Sequence, residues 1–281
     1  MSKTERTAFL VPFFGPLPPY FDFWVNSCDT NQDDFHWFVY NDHIQEITRP
    51  NPAVTLIPYR FEEMVSAFDK ELGIKIPGKH LRRVCDYRLL FYFIRREEES
   101  LDNYGFIGYT DMDMVYGRLK NFMPEDMAGY AVISADDDAP CGPFTLMNRN
   151  QLHLFRSWEY LKTEMEKVQH ESFNENRQLI DILKGDLQVW CKADPLQPQM
   201  SPGINRIHHF GIWDRGKVMI RDCWQRTREG GFYHFSRYKD KERFKIDTAS
   251  ADSPRWCIHK FGISEPDNTR ARIQRFASLY I

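Results

Sequence analysis

Short apolar runs alternate with longer segments of helical spacing along the first half of the chain. The apolar runs predict five strands, at residues 8–13, 35–40, 53–58, 104–110 and 130–134. Apolar residues at helical spacing predict three helices, at residues 18–28, 61–72 and 81–96. Strands that alternate with helices are typical of an α/β protein whose central sheet is largely parallel.

The pattern is less regular in the second half of the chain. There the spacing predicts helices at residues 151–168 and 173–183 and strands at residues 217–221 and 231–235. We therefore expect a single domain over residues 1–281. Residues 1–120 would form its regular half, of a type common among nucleotide-binding proteins, and residues 121–281 a more elaborate half.

Composition narrows the class of protein. With 281 residues, of which 42% are hydrophobic, the chain can bury a sizeable core. A net charge of -3 creates no general basic field, so a nucleic-acid partner is not expected. Because the sequence contains neither a signal-peptide pattern nor a long apolar run, we expect a cytoplasmic protein. The six cysteines are far apart and include no CxxC pair, which argues against a zinc ribbon.

Two carboxylates at the end of a predicted strand are the first candidate for a functional site. The segment GFIGYTDMDMVYG, at residues 105–117, is an apolar run that ends in Asp111 and Asp113. Close like charges repel, and a buried carboxylate is unfavourable, unless a cation offsets the charge. Residues two apart in an extended segment face the same way, so both carboxylates could hold one divalent ion. A solvated turn, where aspartate is common, is the alternative.

Five sequence blocks occur in an order that resembles bacterial polysaccharide-biosynthesis proteins with the GT-A glycosyltransferase fold. The blocks are LVPFFGPLPPYF (10–21), RRVCDYR (82–88), GYTDMDMVYG (108–117), GPFTLMNRN (142–150) and FYHFSRYK (232–239). The resemblance implies an α/β/α sandwich with a mostly parallel central sheet and an elaborated C-terminal half. It also implies transfer of a sugar, a hexose, from a nucleotide-diphosphate donor. Residues 1–120 would then bind the nucleotide sugar, and residues 121–281 would close the acceptor and metal sites.

The same resemblance implies a set of metal ligands. Asp111 and Asp113 would hold Mn²⁺ or Mg²⁺ against the diphosphate of the donor, with Asp113 the direct ligand. His234 would be the third ligand, although a structural histidine among aromatic residues is the alternative. Arg237 and Lys239 would neutralise the leaving diphosphate, unless they belong only to a solvated basic run.

Donor-binding residues are also implied. The resemblance places the nucleotide near the ends of the first two strands, at Pro12, Phe13, Gly15 and Asp42. In the CDYR block, Asp86 would orient Arg88 or contact the donor sugar, and a simple charge interaction within the helix is the alternative. The chain has no Gly-rich phosphate motif, which argues against a P-loop or a Rossmann dinucleotide site and favours a diphosphate held by metal.

A catalytic base is implied at HESFNE, residues 170–175, which resembles an HxxFDE block. Glu175 is the expected base and Glu171 the reserve, because Asn174 stands where the block has an aspartate. A charge at a helix start is the alternative interpretation of these glutamates. An enzyme that retains configuration would need no dedicated base.

The sequence thus predicts a metal-dependent glycosyltransferase. Its donor would be a UDP-sugar, and its acceptor a bacterial surface polysaccharide, such as lipopolysaccharide or capsule, or a lipid-linked glycan. A lipid-linked acceptor would bring the protein to the inner face of the membrane, where the basic segment 237–245 could assist. The alternatives are a metal-dependent nucleotidyl or phosphoryl transferase and a non-catalytic domain that binds nucleotides or glycans.

Overall fold

The structure is a computed structural model that describes most of the chain. The described residues are 6–43, 51–77, 84–137, 142–152, 162–163, 166, 188–194, 196, 210–221, 226–236 and 238–266. The chain divides into two compact units, each built from three segments. The first unit comprises Met1–Leu17, Gln32–Asp111 and Pro124–Lys192. The second unit comprises Pro18–Asn31, Met112–Met123 and Ala193–Ile281. Each unit draws on both predicted halves, and the prediction of one domain over residues 1–281, divided at residue 120, stays a prediction.

The strands of the described residues are short. They are β1 (Thr7–Pro12), β2 (Phe35–Asn41), β3 (Val54–Pro58), β4 (Phe106–Thr110), β5 (Met114–Tyr116), β6 (Val132–Ser134), β7 (Phe144–Asn148), β8 (Val189–Cys191), β9 (Phe210–Asp214), β10 (Lys217–Arg221), β11 (Thr227–Gly230), β12 (Phe232–His234), β13 (Lys245–Ile246), β14 (Arg255–His259) and β15 (Gly262–Ser264). The strands predicted from the sequence are confirmed in β1, β2, β3, β4, β6, β10 and β12.

The described helices are also short. The α-helices are α1 (Phe21–Asp29), α2 (Phe61–Ala67), α3 (Val84–Tyr87) and α4 (Phe91–Arg95). A π-helical turn (Phe68–Leu72) extends α2, and 3₁₀ turns lie at Arg88–Leu90, Leu101–Asn103, Leu119–Phe122, Met127–Gly129, Arg149–Gln151 and Thr248–Asp252. Among the described helices, none reaches the length and hydrophobicity that spanning a bilayer requires.

The first-half helix predictions are confirmed in position, with one correction. The continuous helix predicted at residues 81–96 is broken into α3 and α4 by the 3₁₀ turn Arg88–Leu90, and residues 81–83 lie outside the described part of the chain. The spacing of apolar residues is nearly the same in α and 3₁₀ turns, so it could not reveal the break. The helix predicted at residues 173–183 falls outside the described residues, as does most of the one at 151–168.

A seven-stranded sheet forms the centre of the first unit, in the order β3-β2-β1-β4-β7-β6-β8. The strands β3, β2, β1 and β4 run parallel, β4, β7 and β6 are antiparallel neighbours, and β6 pairs parallel with β8. The first unit is therefore a mixed α/β structure, and the prediction of a mostly parallel sheet is confirmed for it.

The strand order creates a switch point between β1 and β4, because β2 and β3 follow β1 on one side and β4 lies on the other. The ladder between β1 and β4 spans three residue pairs, from Thr7 with Phe106 to Phe9 with Gly108, although both strands continue beyond them. Open α/β sheets bind ligands outside the carboxyl ends of the strands at such a point. The sheet therefore offers a ligand site where β1 and β4 end.

One face of this sheet packs against α2, α4 and the π-helical turn. The buried cluster on this face includes Leu10, Phe38 and Tyr40 from the strands and Phe61, Met64, Phe68 and Phe91 from the helical segments. The Tyr40 ring lies 4.7 Å from the Phe91 ring in an edge-on contact. Burial of each of these side chains contributes about 1.5–3 kcal/mol to the stability of the folded state. The cluster therefore holds the carboxyl ends of β1 and β2 in a rigid frame.

A second sheet organises the second unit, in the order β11-β10-β9-β14-β15-β13. Its pairs are antiparallel except for β13 with β15. Separately, β5 and β12 pair with each other as a two-stranded antiparallel sheet. Trp213 and Trp256 stack at 4.9 Å, and Phe23 of α1 meets Trp256 edge-on at 5.0 Å. The sequence predicted only β10 and β12 of this unit, because short strands with distant partners leave little local periodicity.

Gly211 of β9 sets how closely the backbone approaches β12. A methyl group at this position would lie 2.7 Å from Cγ and Cδ1 of the Tyr233 ring. Tyr233 is buried and directly precedes His234. Any larger residue at 211 would therefore have to displace β12.

We predict that Gly211→Ala lowers the free energy of unfolding by about 1–3 kcal/mol, because the core around Tyr233 becomes overpacked. Urea denaturation followed by fluorescence measures the change. Gly129→Ala is the matched control, since its added methyl would meet only the side chain of Asp126, at 3.0 Å. The control should be neutral or slightly stabilising. Equal losses in both variants would contradict the role assigned to Gly211.

Candidate metal centre

Asp111 directly follows β4, and the neighbouring strand β7 fixes its position. The Thr110 hydroxyl donates a hydrogen bond to the backbone carbonyl of Pro143 at 2.8 Å, and the Asp111 N–H donates to the same carbonyl at 3.3 Å. Thr110 also pairs with Phe144 at the end of the antiparallel ladder. Asp111 therefore stands at the carboxyl end of β4, where the switch point of the sheet lies.

Arg88 holds the carboxylate of Asp111. Its Nη1 donates to Asp111 Oδ1 at 2.8 Å, and its guanidinium lies 4.6 Å from the centre of the Tyr109 ring. The Arg88 side chain is 7% exposed and that of Asp111 is 30% exposed. Arg88 occupies the 3₁₀ turn that breaks the predicted helix, and Asp86, in α3, is fully buried. The donor-binding roles predicted for Asp86 and Arg88 stay predictions.

Asp113 precedes β5, and strand pairing brings it to His234. Met114 pairs with His234 in the antiparallel ladder of β5 and β12, and Phe235 N–H donates to the backbone carbonyl of Asp113 at 3.0 Å. This register places His234 Nε2 at 3.3 Å from Asp113 Oδ1. Lys239 Nζ lies 2.8 Å from the other oxygen, Oδ2. Asp113 is 3% exposed, so its carboxylate contacts these partners rather than solvent.

The environment keeps Asp113 ionised. Burial by itself would raise its pKa, but the adjacent His234 imidazole and the ammonium of Lys239 outweigh burial and lower the pKa to about 2. The repulsion expected between the two aspartates is thus offset by cations of the protein itself. Arg88 compensates Asp111, and Lys239 compensates Asp113.

Asp111, Asp113 and His234 form a cluster that we call the candidate metal centre. One ligand atom of each lies within 4.8 Å of the others. The two aspartates are separated by one residue, so their proximity follows from the local backbone. The predicted ligands are therefore brought together, and their role as ligands stays a prediction.

The donor set fits Mn²⁺ or Mg²⁺. Six ligands at about 2.1 Å from an ion lie about 3 Å from their neighbours and about 4.2 Å from the opposite ligand. The 3.3 Å between His234 Nε2 and Asp113 Oδ1 matches neighbouring ligands. The ligand atoms of the three residues all lie within 4.8 Å of one another, which is near the separation of opposite ligands. Carboxylates with one imidazole suit Mn²⁺ better than Ca²⁺.

The predicted nucleotide-binding residues meet where β1 and β2 end. Gly15 N–H donates to Asp42 Oδ1 at 2.6 Å, and Asn41 Nδ2 donates to the Gly15 carbonyl at 2.9 Å. Gly15 has a φ of 103°, which favours glycine. Pro12 ends β1, and Phe13 N–H donates to the carbonyl of Tyr40 at 2.9 Å. The loop after β1 is thus fixed to the end of β2, and its role in donor binding stays a prediction.

The sequence did not predict every residue of these sites, and some residues that it did predict lie outside the described part of the chain. Asn41 was missed, although an asparagine directly before the predicted Asp42 was the available signal. The role of Lys239 as the partner of Asp113 had no sequence signal, because the two residues are far apart in the chain. Glu171, Glu175 and Arg237 lie outside the described residues.

We predict that Asp113→Asn weakens Mn²⁺ binding at least tenfold, because a neutral amide is a poor ligand for a hard cation. We also expect the metal-free variant to lose about 1–2 kcal/mol of stability, since Lys239 and His234 lose a charged partner. Isothermal titration calorimetry and urea denaturation measure the two effects.

Asp214→Asn is the matched control for this substitution. Asp214 forms an ion pair with Arg255 at 3.6 Å, and both side chains are well exposed. Removing this pair should change stability by less than about 1 kcal/mol and leave metal binding intact. Wild-type Mn²⁺ affinity in Asp113→Asn would contradict the assignment of the centre.

Comparison with known proteins gives a family and a weak likeness to solved structures. A crystal structure of mouse xyloside xylosyltransferase 1, in its apo form, is similar to this chain at 12% identity, over 57% of this chain and 72% of that chain, with a TM-score of 0.31. At that score the likeness carries no argument about fold or chemistry. No curated protein matches the chain. The profile of a family of unknown function matches residues 9–178, which is more than half of the chain and includes Asp111 and Asp113. The chain therefore belongs to this family of unknown function, DUF6625.

Proposed function

We propose that the protein is a metal-dependent glycosyltransferase that moves a sugar from a nucleotide-diphosphate donor, a UDP-sugar, to a glycan or lipid-linked glycan acceptor. The observation that carries this proposal is the cluster of Asp111, Asp113 and His234. Its first member directly follows β4, at the switch point of the first sheet. Metal ligands at the ligand-binding edge of an α/β sheet favour a phosphorylated ligand.

The edge of the first sheet supports a nucleotide as that ligand. The loop after β1 is fixed by Asn41 and Asp42 at the end of β2, and β1 and β4 are no longer paired where they approach their carboxyl ends. The sequence has no Gly-rich loop to surround phosphates with backbone N–H groups. A diphosphate in this position would therefore depend on a metal ion and on cationic side chains.

The residues of the candidate metal centre have distinct roles in this proposal. Asp111, Asp113 and His234 would hold the ion, and a bound divalent ion would neutralise charge on the departing diphosphate. Arg88 keeps the Asp111 carboxylate in place, and Lys239 does the same for Asp113. Lys239 is 32% exposed, so its ammonium is also accessible to an anionic ligand.

Glycosyl transfer breaks the bond between the anomeric carbon and a diphosphate oxygen and forms a bond from that carbon to the acceptor oxygen. The acceptor hydroxyl loses its proton in the process, and an inverting enzyme requires a base to take it. We propose Glu175 as that base, with Glu171 as the reserve, from the sequence resemblance alone. In a retaining enzyme these glutamates would not serve as the base.

The finer parts of the proposal also rest on the sequence resemblance. These are the GT-A arrangement, transfer of a hexose, and an acceptor in bacterial surface polysaccharide, such as lipopolysaccharide or capsule. A lipid-linked acceptor would place the protein in the cytoplasm at the inner face of the membrane. The basic segment 237–245 would then approach anionic lipids.

We predict that UDP binds in the presence of Mn²⁺ and that EDTA weakens this binding at least tenfold, because the diphosphate loses its counter-ion. Titration calorimetry with UDP, GDP and CMP, each with Mn²⁺ and with EDTA, measures the effect. Asp113→Asn should bind UDP equally weakly under both conditions, whereas Asp214→Asn should behave like the wild type. Nucleotide binding that ignores both Mn²⁺ and Asp113 would contradict the proposal.

The reaction products separate the alternative functions. Incubation with UDP-sugars, Mn²⁺ and a glycan acceptor should release UDP and extend the acceptor if the protein is a glycosyltransferase. Release of pyrophosphate from a nucleoside triphosphate would favour a nucleotidyl transferase instead. A bound UDP-sugar that is neither transferred nor hydrolysed would favour a non-catalytic binding domain.

A further inference from the structure

The two carboxylate oxygens of Asp113 face different partners. Oδ1 lies 3.3 Å from His234 Nε2, and Oδ2 lies 2.8 Å from Lys239 Nζ. The carboxylate itself is almost completely buried, at 3% exposure. Lys239 therefore contacts the carboxylate oxygen that His234 does not contact. Its ammonium makes a charge-assisted hydrogen bond, which is stronger than one between neutral groups.

This arrangement decides which oxygen can meet an ion. An ion held by His234 Nε2 and Asp113 would use Oδ1, because that oxygen already lies at the separation of neighbouring ligands. Chelation through both oxygens would require the ion to replace the ammonium of Lys239 on Oδ2. Breaking the 2.8 Å contact of the ammonium with a carboxylate that is 3% exposed is unfavourable, so ligation by a single oxygen is the more favourable state.

The number of oxygens per carboxylate distinguishes divalent ions. Ca²⁺ takes six to eight oxygen ligands at about 2.3–2.6 Å and commonly uses carboxylates through both oxygens, whereas Mg²⁺ requires six ligands at about 2.0–2.1 Å. We propose that Lys239 restricts Asp113 to one coordinating oxygen and thereby makes the centre select Mn²⁺ or Mg²⁺ over Ca²⁺. This inference rests on the metal centre of the proposed function and names a specificity-determining residue for it.

Charge alone would act differently from this geometric restriction. The positive charge of Lys239 lowers the affinity of the centre for any divalent cation, and it does so to a similar extent for ions of equal charge. Removal of the charge should therefore raise the Mn²⁺ and Ca²⁺ affinities by similar factors. The ratio of the two affinities isolates the effect of the coordinating oxygens.

The test is titration calorimetry of the full chain with Mn²⁺ and, separately, with Ca²⁺. In Lys239→Met, whose apolar side chain cannot hold Oδ2, we expect the Mn²⁺/Ca²⁺ affinity ratio to fall at least fivefold, mainly through tighter Ca²⁺ binding. Lys239→Arg retains a cationic donor and should keep the ratio within about twofold of the wild type. Lys241→Met removes the same charge from an exposed neighbouring position and should also leave the ratio unchanged.

The outcomes separate this inference from the proposed function. If the wild type binds Mn²⁺ and Lys239→Met keeps the wild-type ratio, Lys239 acts only as a counter-charge, and the inference is overturned while the metal centre stands. If the wild type binds neither ion, the metal centre and the inference are both overturned. Circular dichroism confirms that each variant is folded, and Lys239→Ala, which also removes the ammonium, replaces Lys239→Met if that variant unfolds.

Discussion

The ion pair between the buried carboxylate of Asp113 and the partly exposed ammonium of Lys239 is the interaction on which the site depends. Asp113 is ionised although it is almost fully buried, and an unpaired charge in that position would cost several kcal/mol. The 2.8 Å contact with Lys239 and the adjacent His234 offset this cost. Since His234 belongs to β12 and Asp113 immediately precedes β5, the contact between the imidazole and the carboxylate also favours the pairing of these two strands.

The location of Asp111 follows from the topology of the first sheet. In the order β3-β2-β1-β4, the strands β2 and β3 lie on one side of β1 and β4 lies on the other. The residues that follow β1 and β4 therefore lie at the switch point. The aromatic and aliphatic cluster beneath β1 and β2 makes this edge rigid, and Arg88, buried under Tyr109, holds the carboxylate. A rigid edge with a fixed carboxylate is suited to a ligand that must be held in one orientation.

Cations of the protein and a metal ion can act on the same pair of aspartates. Arg88 and Lys239 each contact one oxygen of a carboxylate, and they balance the two negative charges when no ion is bound. A divalent ion would then add positive charge to a centre that is already near neutral, which favours a ligand such as a diphosphate that carries negative charge of its own. This charge balance connects the candidate metal centre with a nucleotide-sugar donor.

The sequence by itself determined five strands of the first sheet, β1, β2, β3, β4 and β6, because continuous apolar runs are local signals. It also determined the pair Asp111 and Asp113, since two aspartates one residue apart are a local signal as well. Only the tertiary structure decided that Arg88 and Lys239 compensate these aspartates and that the loop after β1 is fixed to the end of β2. Apart from β10, the strands of the second sheet were not predicted, because they are short, pair with distant segments and carry little periodicity of their own. Contacts between distant residues depend on strand order and register, which no local pattern contains.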